Sequence, residues 1–241
     1  MKKYLSWSNI RLGLMILFLG VLFSFTSHKN EQRKIAKVDT EFQGKEHLFL
    51  TQESVNKLLI EKKTDASSIQ KLELDLNSLE RKLDSHDMIE KSEVFVTIDG
   101  MLKSVVRQKM PLARVFSKGH SYYIDNEGDL MPLSDNYTAR VPLVIGEIDE
   151  KDTAKLTDVL RIIHNDEFLQ KNIISVEILP NKSLKMKNRN YNYVIEFGRM
   201  INVEKKFNNY KAFFQKTGND SLISKYSSIN LKFTQQVVCT K

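Results

Sequence analysis

One stretch limits what this chain can become: Leu12 to Ser27, reading LGLMILFLGVLFSFTS, sixteen residues without a charge. As a helix it covers about 24 Å at ~1.5 Å per residue, a little short of a bilayer core of ~30 Å that asks for about 20 residues. Tyr4 and Trp7 suit an interface, Ile10 is apolar and Arg11 can snorkel, so the span can lengthen toward its start. Lys2, Lys3 and Arg11 precede the run and favour a cytoplasmic N-terminus; Lys29, Arg33 and Lys34 beyond it weaken that bias without reversing it. A signal peptide would end in small residues, whereas this run ends FSFTSH with bulky Phe23 and Phe25. The reading is an uncleaved transmembrane anchor over 12–27, containing Leu12, Phe18 and Phe25, after a cytoplasmic tail of residues 1–11. Everything from His28 onward is then one cargo held at that membrane.

The cargo is globular in composition. Hydrophobic residues make up 41% of the chain and charged residues 28%, which argues against wholesale disorder. Net charge is +7, of which the three cations before the apolar run supply +3, and the mild remainder fits a solvated lysine-rich surface better than a nucleic-acid site. The lone Cys239 excludes an internal disulfide, and nothing near it in sequence would activate a thiolate. No phosphate-cradling glycine loop, nucleophile elbow, zinc-protease helix or cysteine pair occurs, and thirty scattered acids single out no catalytic pair. His164, Asp166 and Glu167 form the densest metal-capable group, but at a helix end. Asp125, Glu127 and Asp129 resemble part of a calcium loop that lacks its later Glu, and a hairpin accounts for them. Tyr122 and Tyr123 point to opposite faces of a strand, so one is core; the stripe Phe207, Tyr210, Phe214 is a core stripe too. No catalytic residue, cofactor, metal, small-molecule substrate or nucleic acid is expected.

Periodicity predicts the elements. Ile35–Phe42 alternates as a strand, and Thr51 caps a helix to about Ile60 with Val55, Leu58 and Leu59 inward. After a polar break at KKTDASS, Leu72, Leu76, Leu79 and Leu83 recur at helical spacing, with Asp75 as N-cap. Val94, Val96 and Ile98 alternate into Asp99-Gly100, a type I′ hairpin signal, and the chain returns to Pro111. A second unit follows: LARVF; a hairpin SYYID–NEGDLM turning at Asn126-Glu127-Gly128; and VPLVIG, where Pro142 suits an edge or a strand start. Asp152 or Thr153 caps a helix to about Asn165 with Leu156, Val159, Leu160 and Ile163 inward. Strands IISVEIL, SLKMK and YNYVIEF come next, the last with Tyr191, Tyr193, Ile195 and Phe197 alternating. A helix holds Val203, Phe207, Tyr210 and Phe214. SINLKFTQQVVC closes the chain as a strand with Ile229, Leu231 and Phe233 alternating. The fold class is α+β: one transmembrane helix, a small β-α-α-β-β unit over 28–110, and a mixed-sheet domain with two helices over 111–241.

Six segments, in this order, resemble the FtsQ/DivIB cell-division proteins. LELDLNSLERKL leading into MIEKSEVFV is similar to the family's leucine-bearing helix and the strand after it. RQKMPLARVF resembles its inter-domain junction through Gln108, Lys109, Pro111 and Ala113. YYIDNEGDLM resembles its hairpin through Asp125 and Gly128, and VPLVIG its proline-glycine segment through Pro142 and Gly146. VIEFGR and SINLKFTQQVVC resemble its last two strands. The family's Glu-Arg is Gln108-Lys109 here, its usual Trp is absent from His86–Met88, and Asn230, Lys232 and Phe233 stand for Asp, Arg and Tyr.

The resemblance implies that 28–110 is a POTRA-like domain and 111–241 an FtsQ-type β domain. It further implies a non-enzymatic divisome scaffold, single-pass in the cytoplasmic membrane at the septum, with its domains extracytoplasmic. Its partners would be bitopic FtsB/FtsL-type proteins, and its work the control of septal peptidoglycan synthesis. The contact expected is strand addition at the C-terminal edge, drawing on Ile229, Leu231, Lys232, Phe233, Gln235 and Val237. There Lys232 would meet a partner acid and Phe233 would be either interface or core. The Asp99-Gly100 hairpin is a secondary candidate. The rival readings are an envelope hydrolase, opposed by the missing nucleophile motif, and a POTRA-type chaperone for outer-membrane transport, which would require repeated units or a barrel.

Overall fold

In a computed structural model, residues 7–31, 34–44, 49–60, 74–217 and 223–241 are described. The apolar stretch forms helix α1, Trp7–Glu31, of 25 residues. At ~1.5 Å per residue this is about 37 Å, so the helix runs past the uncharged run at both ends and removes its shortfall against a bilayer. Its 23-residue apolar part, Trp7–Lys29, buries nothing against the rest of the chain. A core helix would bury one face; this one offers its leucines and phenylalanines all round, as a helix solvated by lipid does.

The chain forms two compact units, Met1–Gln108, which includes α1, and Lys109–Lys241. In the first, β1 (Lys37–Phe42), β2 (Ile89–Val96) and β3 (Met101–Gln108) make a sheet of order β1-β3-β2, with β1 parallel and β2 antiparallel to β3. Helices α2 (Gln52–Ile60) and α3 (Leu76–Asp84) supply Val55, Leu59 and Leu83 to the unit's buried residues, alongside Val38, Val94, Leu102 and Val106 of the strands. Thr51 and Ser54 cap α2 reciprocally, each hydroxyl accepting the other's backbone N–H at 3.1 Å. Asp75 caps α3 by accepting from Ser78 N at 3.0 Å, as its place in the sequence predicts. Leu72 and the KKTDASS break lie outside the described residues. Gln108, buried at the end of β3, accepts from the backbone N–H of Phe49 (3.1 Å) and Leu50 (3.3 Å) and donates to Leu50 O (3.3 Å).

The turn chemistry differs from the sequence reading. Asp99 does not take positive φ; only Gly100 does, at 88°. Gly100 N donates to Thr97 O at 3.1 Å and Thr97 N to Met101 O at 2.9 Å. This is a three-residue loop closed by a left-handed glycine, and it expels Ile98 from the strand into solvent. The type I′ turn lies instead between β4 (Pro111–Ser117) and β5 (His120–Asp125), where Lys118 (φ 51°) and Gly119 (φ 80°) are both left-handed.

The second unit adds β6 (Leu130–Met131), β7 (Leu143–Ile145), α4 (Glu150–Asn165), α5 (Glu167–Asn172), β8 (Ile173–Ile178), β9 (Leu184–Asn188), β10 (Val194–Gly198), α6 (Val203–Thr217), β11 (Ser228–Asn230) and β12 (Val238–Thr240). Its sheet has the order β12-β11-β10-β9-β8-β7-β4-β5-β6. Pro142 opens a strand as expected, but β7 is interior, parallel to both β4 and β8. Leu156, Val159, Leu160 and Ile163 of α4 and Phe207 and Tyr210 of α6 are buried in one cluster with Val115, Val144, Val176 and Ile195 of the sheet. Helix α4 starts earlier than expected, after Asp149, whose carbonyl accepts from the backbone N–H of Asp152 and Thr153. The two expected helices are joined by a third, α5, too short to show a period. Tyr191 and Tyr193 precede β10 rather than belonging to it.

Two predictions follow from these contacts. Gln108→Ala strips partners from buried main-chain groups at Phe49 and Leu50, and should cost about 1–3 kcal/mol, read as a lowered urea midpoint of the full chain in detergent micelles. Asp166 caps α5 through Leu169 N (3.0 Å) and pairs with Lys211 Nζ (2.6 Å). Burial alone would raise its carboxyl, but the bonds from Lys211 and the α5 backbone outweigh that and hold it below its ordinary value. A lowered folded pKa gives stability that is present above the unfolded value of ~3.9 and lost as pH falls through the folded value. Asp166→Ala should therefore cost about 1 kcal/mol at pH 7, with a gap from the native protein that narrows on acidification below about pH 4.

Candidate partner-binding edge

The closing segment is not one strand. Ser228–Asn230 forms β11, parallel to β10, and the chain then loops through Lys232–Val237 before Val238–Thr240 returns antiparallel on β11 as β12. The last strand of the sheet is thus β12, and β11 is covered on both sides. The sequence offers no Gly or Pro to announce this turn, so two short strands read as one alternating run. Asn209 of α6 pins the loop by donating to Thr234 O at 3.0 Å, and Asn230 Oδ1 accepts from Lys232 N at 3.0 Å.

The six residues singled out from sequence separate accordingly. Ile229 and Leu231 are buried in the core and hold the strand rather than offering a surface. Val237 packs half-buried against the same core. Phe233, in the loop, is 53% exposed, which settles its side chain as surface rather than core. Gln235 is exposed beside it. Lys232 Nζ lies 2.6 Å from Glu196 Oε2 of β10, an ion pair within the chain. Sequence reasoning did not single out Val238, which is 40% exposed on β12. Cys239, opposite Ile229, packs against the core, and burial pushes its thiol up, away from a nucleophilic thiolate.

Where β9 and β10 meet α6 is a cleft of about 360 Å³, lined by Lys185, Glu196, Gly198, Arg199, Lys206 and Lys232 among others. Gly198 has φ 77°, and a Cβ there would stand 2.8 Å from Lys232 Cγ, so glycine is what allows Lys232 to lie across β10 and reach Glu196. Lys206 of α6 is only 2% exposed. Its ammonium donates to Phe197 O (3.0 Å) and Arg199 O (2.7 Å) and lies 4.7 Å from the centre of the Phe197 ring. Burial lowers its pKa. These bonds fix α6 to the end of β10, the strand that carries Glu196.

The other chemistry-bearing groups have local work. Asp125 Oδ1 accepts from Glu127 N (2.9 Å) and Asp129 N (2.8 Å), and its Oδ2 pairs with Lys109 Nζ at 2.9 Å, which makes this loop a cross-braced hairpin. Among the described residues no three His, Cys, Asp or Glu side chains converge to hold a metal. Tyr123 is buried with its hydroxyl accepting from Ala139 N at 3.1 Å, while Tyr122 packs on the main core. Tyr193 and Tyr210 share a 2.8 Å hydroxyl contact, Asn188 donates to Tyr210 at 2.9 Å, and burial raises both phenols.

A family model described as "FtsQ/DivIB, C-terminal related" matches residues 110–240. No curated protein matches the chain. Among solved structures, the major extracytoplasmic domain of the cell-division protein DivIB from Geobacillus stearothermophilus, in its trans isomer, is 12% identical with a TM-score of 0.31. That alignment covers 46% of this chain and 96% of the other, a likeness too weak to add to the family match. The family match spans more than half of the 241 residues, and the chain belongs to the FtsQ/DivIB C-terminal-related family.

Proposed function

We propose that this chain is a membrane-anchored, non-enzymatic scaffold of the bacterial division machinery. Family membership supports the division role, and the single exposed apolar helix near the N-terminus supports membrane anchorage. In this reading α1 is an uncleaved single-pass anchor with a cytoplasmic N-terminus, and the POTRA-like unit (28–110) and β domain (111–241) lie outside the membrane at the septum. The partners are bitopic proteins of the FtsB/FtsL type, and their capture helps control septal peptidoglycan synthesis.

The observation that carries the contact is the outer edge of β12 with Val238 and Phe233 beside it. A partner strand adding there meets a three-residue edge. So short an edge gives few backbone bonds, each worth about 1 kcal/mol net. Side chains must therefore supply most of the affinity. Full burial of a Phe side chain is worth about 1.5–3 kcal/mol, and roughly half of that remains to be gained at Phe233, which is 53% exposed. Lys232 is already engaged by Glu196, so a partner acid would have to compete for it or join the pair.

Phe233→Ala should then weaken recovery of the FtsB–FtsL pair about five- to tenfold, as ~1–1.4 kcal/mol implies, with no change in thermal unfolding. Val238→Ala trims the apolar side chain that β12 exposes and should weaken it as well. Lys232→Glu is a poorer test, because it sets a second carboxylate against Glu196. The measurement is co-purification of the full-length protein from dividing cells; undiminished recovery with both variants would remove β12 as the contact.

A further inference from the structure

We infer that the β2–β3 hairpin tip, through the exposed side chain of Ile98, rests on the lipid surface and gives the POTRA-like unit a second membrane contact besides α1. This rests on α1 spanning the membrane, and not on which partner β12 takes.

The first argument is tethering. The apolar span ends at Lys29 and α1 at Glu31. Two helical residues add about 3 Å, and the three residues from Glu31 to Lys34 reach at most ~11 Å. Lys34 therefore stands within about 14 Å of the end of the span, against a headgroup layer of roughly 5–8 Å on each side of the bilayer. The tip is beside Lys34: a Cβ on Gly100 would lie 3.3 Å from Lys34 O, and Ala36 N donates to Gly100 O at 2.9 Å. Because β1 enters the sheet parallel to β3 with Lys37 opposite Met101, the loop Thr97–Gly100 lies at the end of the sheet where the chain arrives from the anchor.

The second argument is composition. Ile98 is 91% exposed, more than any other large apolar side chain named in either unit. The turn does not need it: Gly100 supplies the left-handed residue, and its N–H bond to Thr97 O closes the loop. β-branched residues are poor turn formers. An isolated exposed isoleucine elsewhere would call for no explanation. Here it stands at the sheet end nearest the membrane, with Phe95 partly exposed on the same hairpin. The flanking cations Lys34, Lys37 and Lys103 suit anionic headgroups. The acids of this end are Glu31 at the close of α1, Asp99, bonded by the Thr97 side chain, and Asp39, opposite Lys103.

The test uses the full chain in vesicles of phosphatidylcholine and phosphatidylglycerol. The protein has a single tryptophan, so Trp7→Phe with Ile98→Trp reports from the tip alone. Lipids brominated in the acyl chain should quench this tryptophan at least threefold more than one placed by Glu90→Trp at the far end of β2. Equal quenching at the two positions overturns the inference. If Ile98→Trp misfolds, Ile98→Cys in a Cys239→Ser background, labelled with an environment-sensitive dye, serves instead. Quenching by headgroup spin-labelled lipid with protection from aqueous iodide supports the contact. Iodide access overturns it, as does protection from both quenchers, which a second copy covering the tip would give.

Discussion

Lys206, only 2% exposed at the wall of the cleft, holds a positive charge largely withdrawn from water, and the packing of α6 on β10 depends on how that charge is held. Burying an ammonium costs several kcal/mol. No carboxylate pairs with it among the described residues; two carbonyls at the end of β10 and the face of Phe197 do the work. Hydrogen bonds to a charged group are worth about 1.5–3 kcal/mol each and a desolvated cation–π contact about 2, so the arrangement roughly balances the desolvation. It does so only while α6 stays docked on β10. The same strand end contains Gly198, whose missing Cβ admits Lys232, and Glu196, which binds it. Asn209, one turn further along α6, holds the 232–237 loop. Lys206, Lys232 and Asn209 together tie helix, strand and loop beside β12.

That support explains how so short an edge could serve a partner. Long open edges invite indiscriminate pairing, and the nine-stranded sheet ends in two residues at β6 and three at β12. Selection must then lie in side chains and in geometry. Under the proposed function anchoring would contribute to the geometry: partners confined to the same membrane would meet at raised effective concentration, so a modest edge could suffice where free proteins would need a larger interface. α1 would in this sense be part of the binding energetics without touching the partner.

The sequence was most legible where one element carried its own pattern. The α4 stripe Leu156, Val159, Leu160, Ile163, the Asp75 cap and the hairpin at Asn126–Gly128 are local, and each is found where periodicity and turn chemistry put it. It was least legible where a neighbour decided. A Lys-Gly pair is a weak I′ signal, yet the strands on either side of Lys118-Gly119 impose the turn, while Asp99-Gly100, the stronger signal, adopts a longer loop. Pro142 suited an edge or a strand start, and nothing local reveals that β4 and β8 flank the strand it opens. At the candidate site, alternation placed Ile229 and Leu231 on one face, but the chain leaves the strand after Asn230, so alternation could not decide whether Phe233 is core or surface. That Val238 lies on the last strand of the sheet is not legible locally, because it depends on where the chain turns between β11 and β12.

Gln108 shows how a departure from the family pattern can be read physically. A glutamate at this buried position could accept from Phe49 N and Leu50 N, as Gln108 does, but it has no donor for Leu50 O and would bring an uncompensated charge. The amide satisfies both directions of the bond and removes the charge. Lys109 keeps the cation that the pattern places next, and its ammonium reaches Asp125 at 2.9 Å and Asp129 at 3.7 Å. The pair has therefore divided its roles: Gln108 secures the main chain at Phe49–Leu50 in the first unit, and Lys109 braces the β5–β6 hairpin in the second. The first of these locks contains no buried charge, and its strength should depend little on salt or pH.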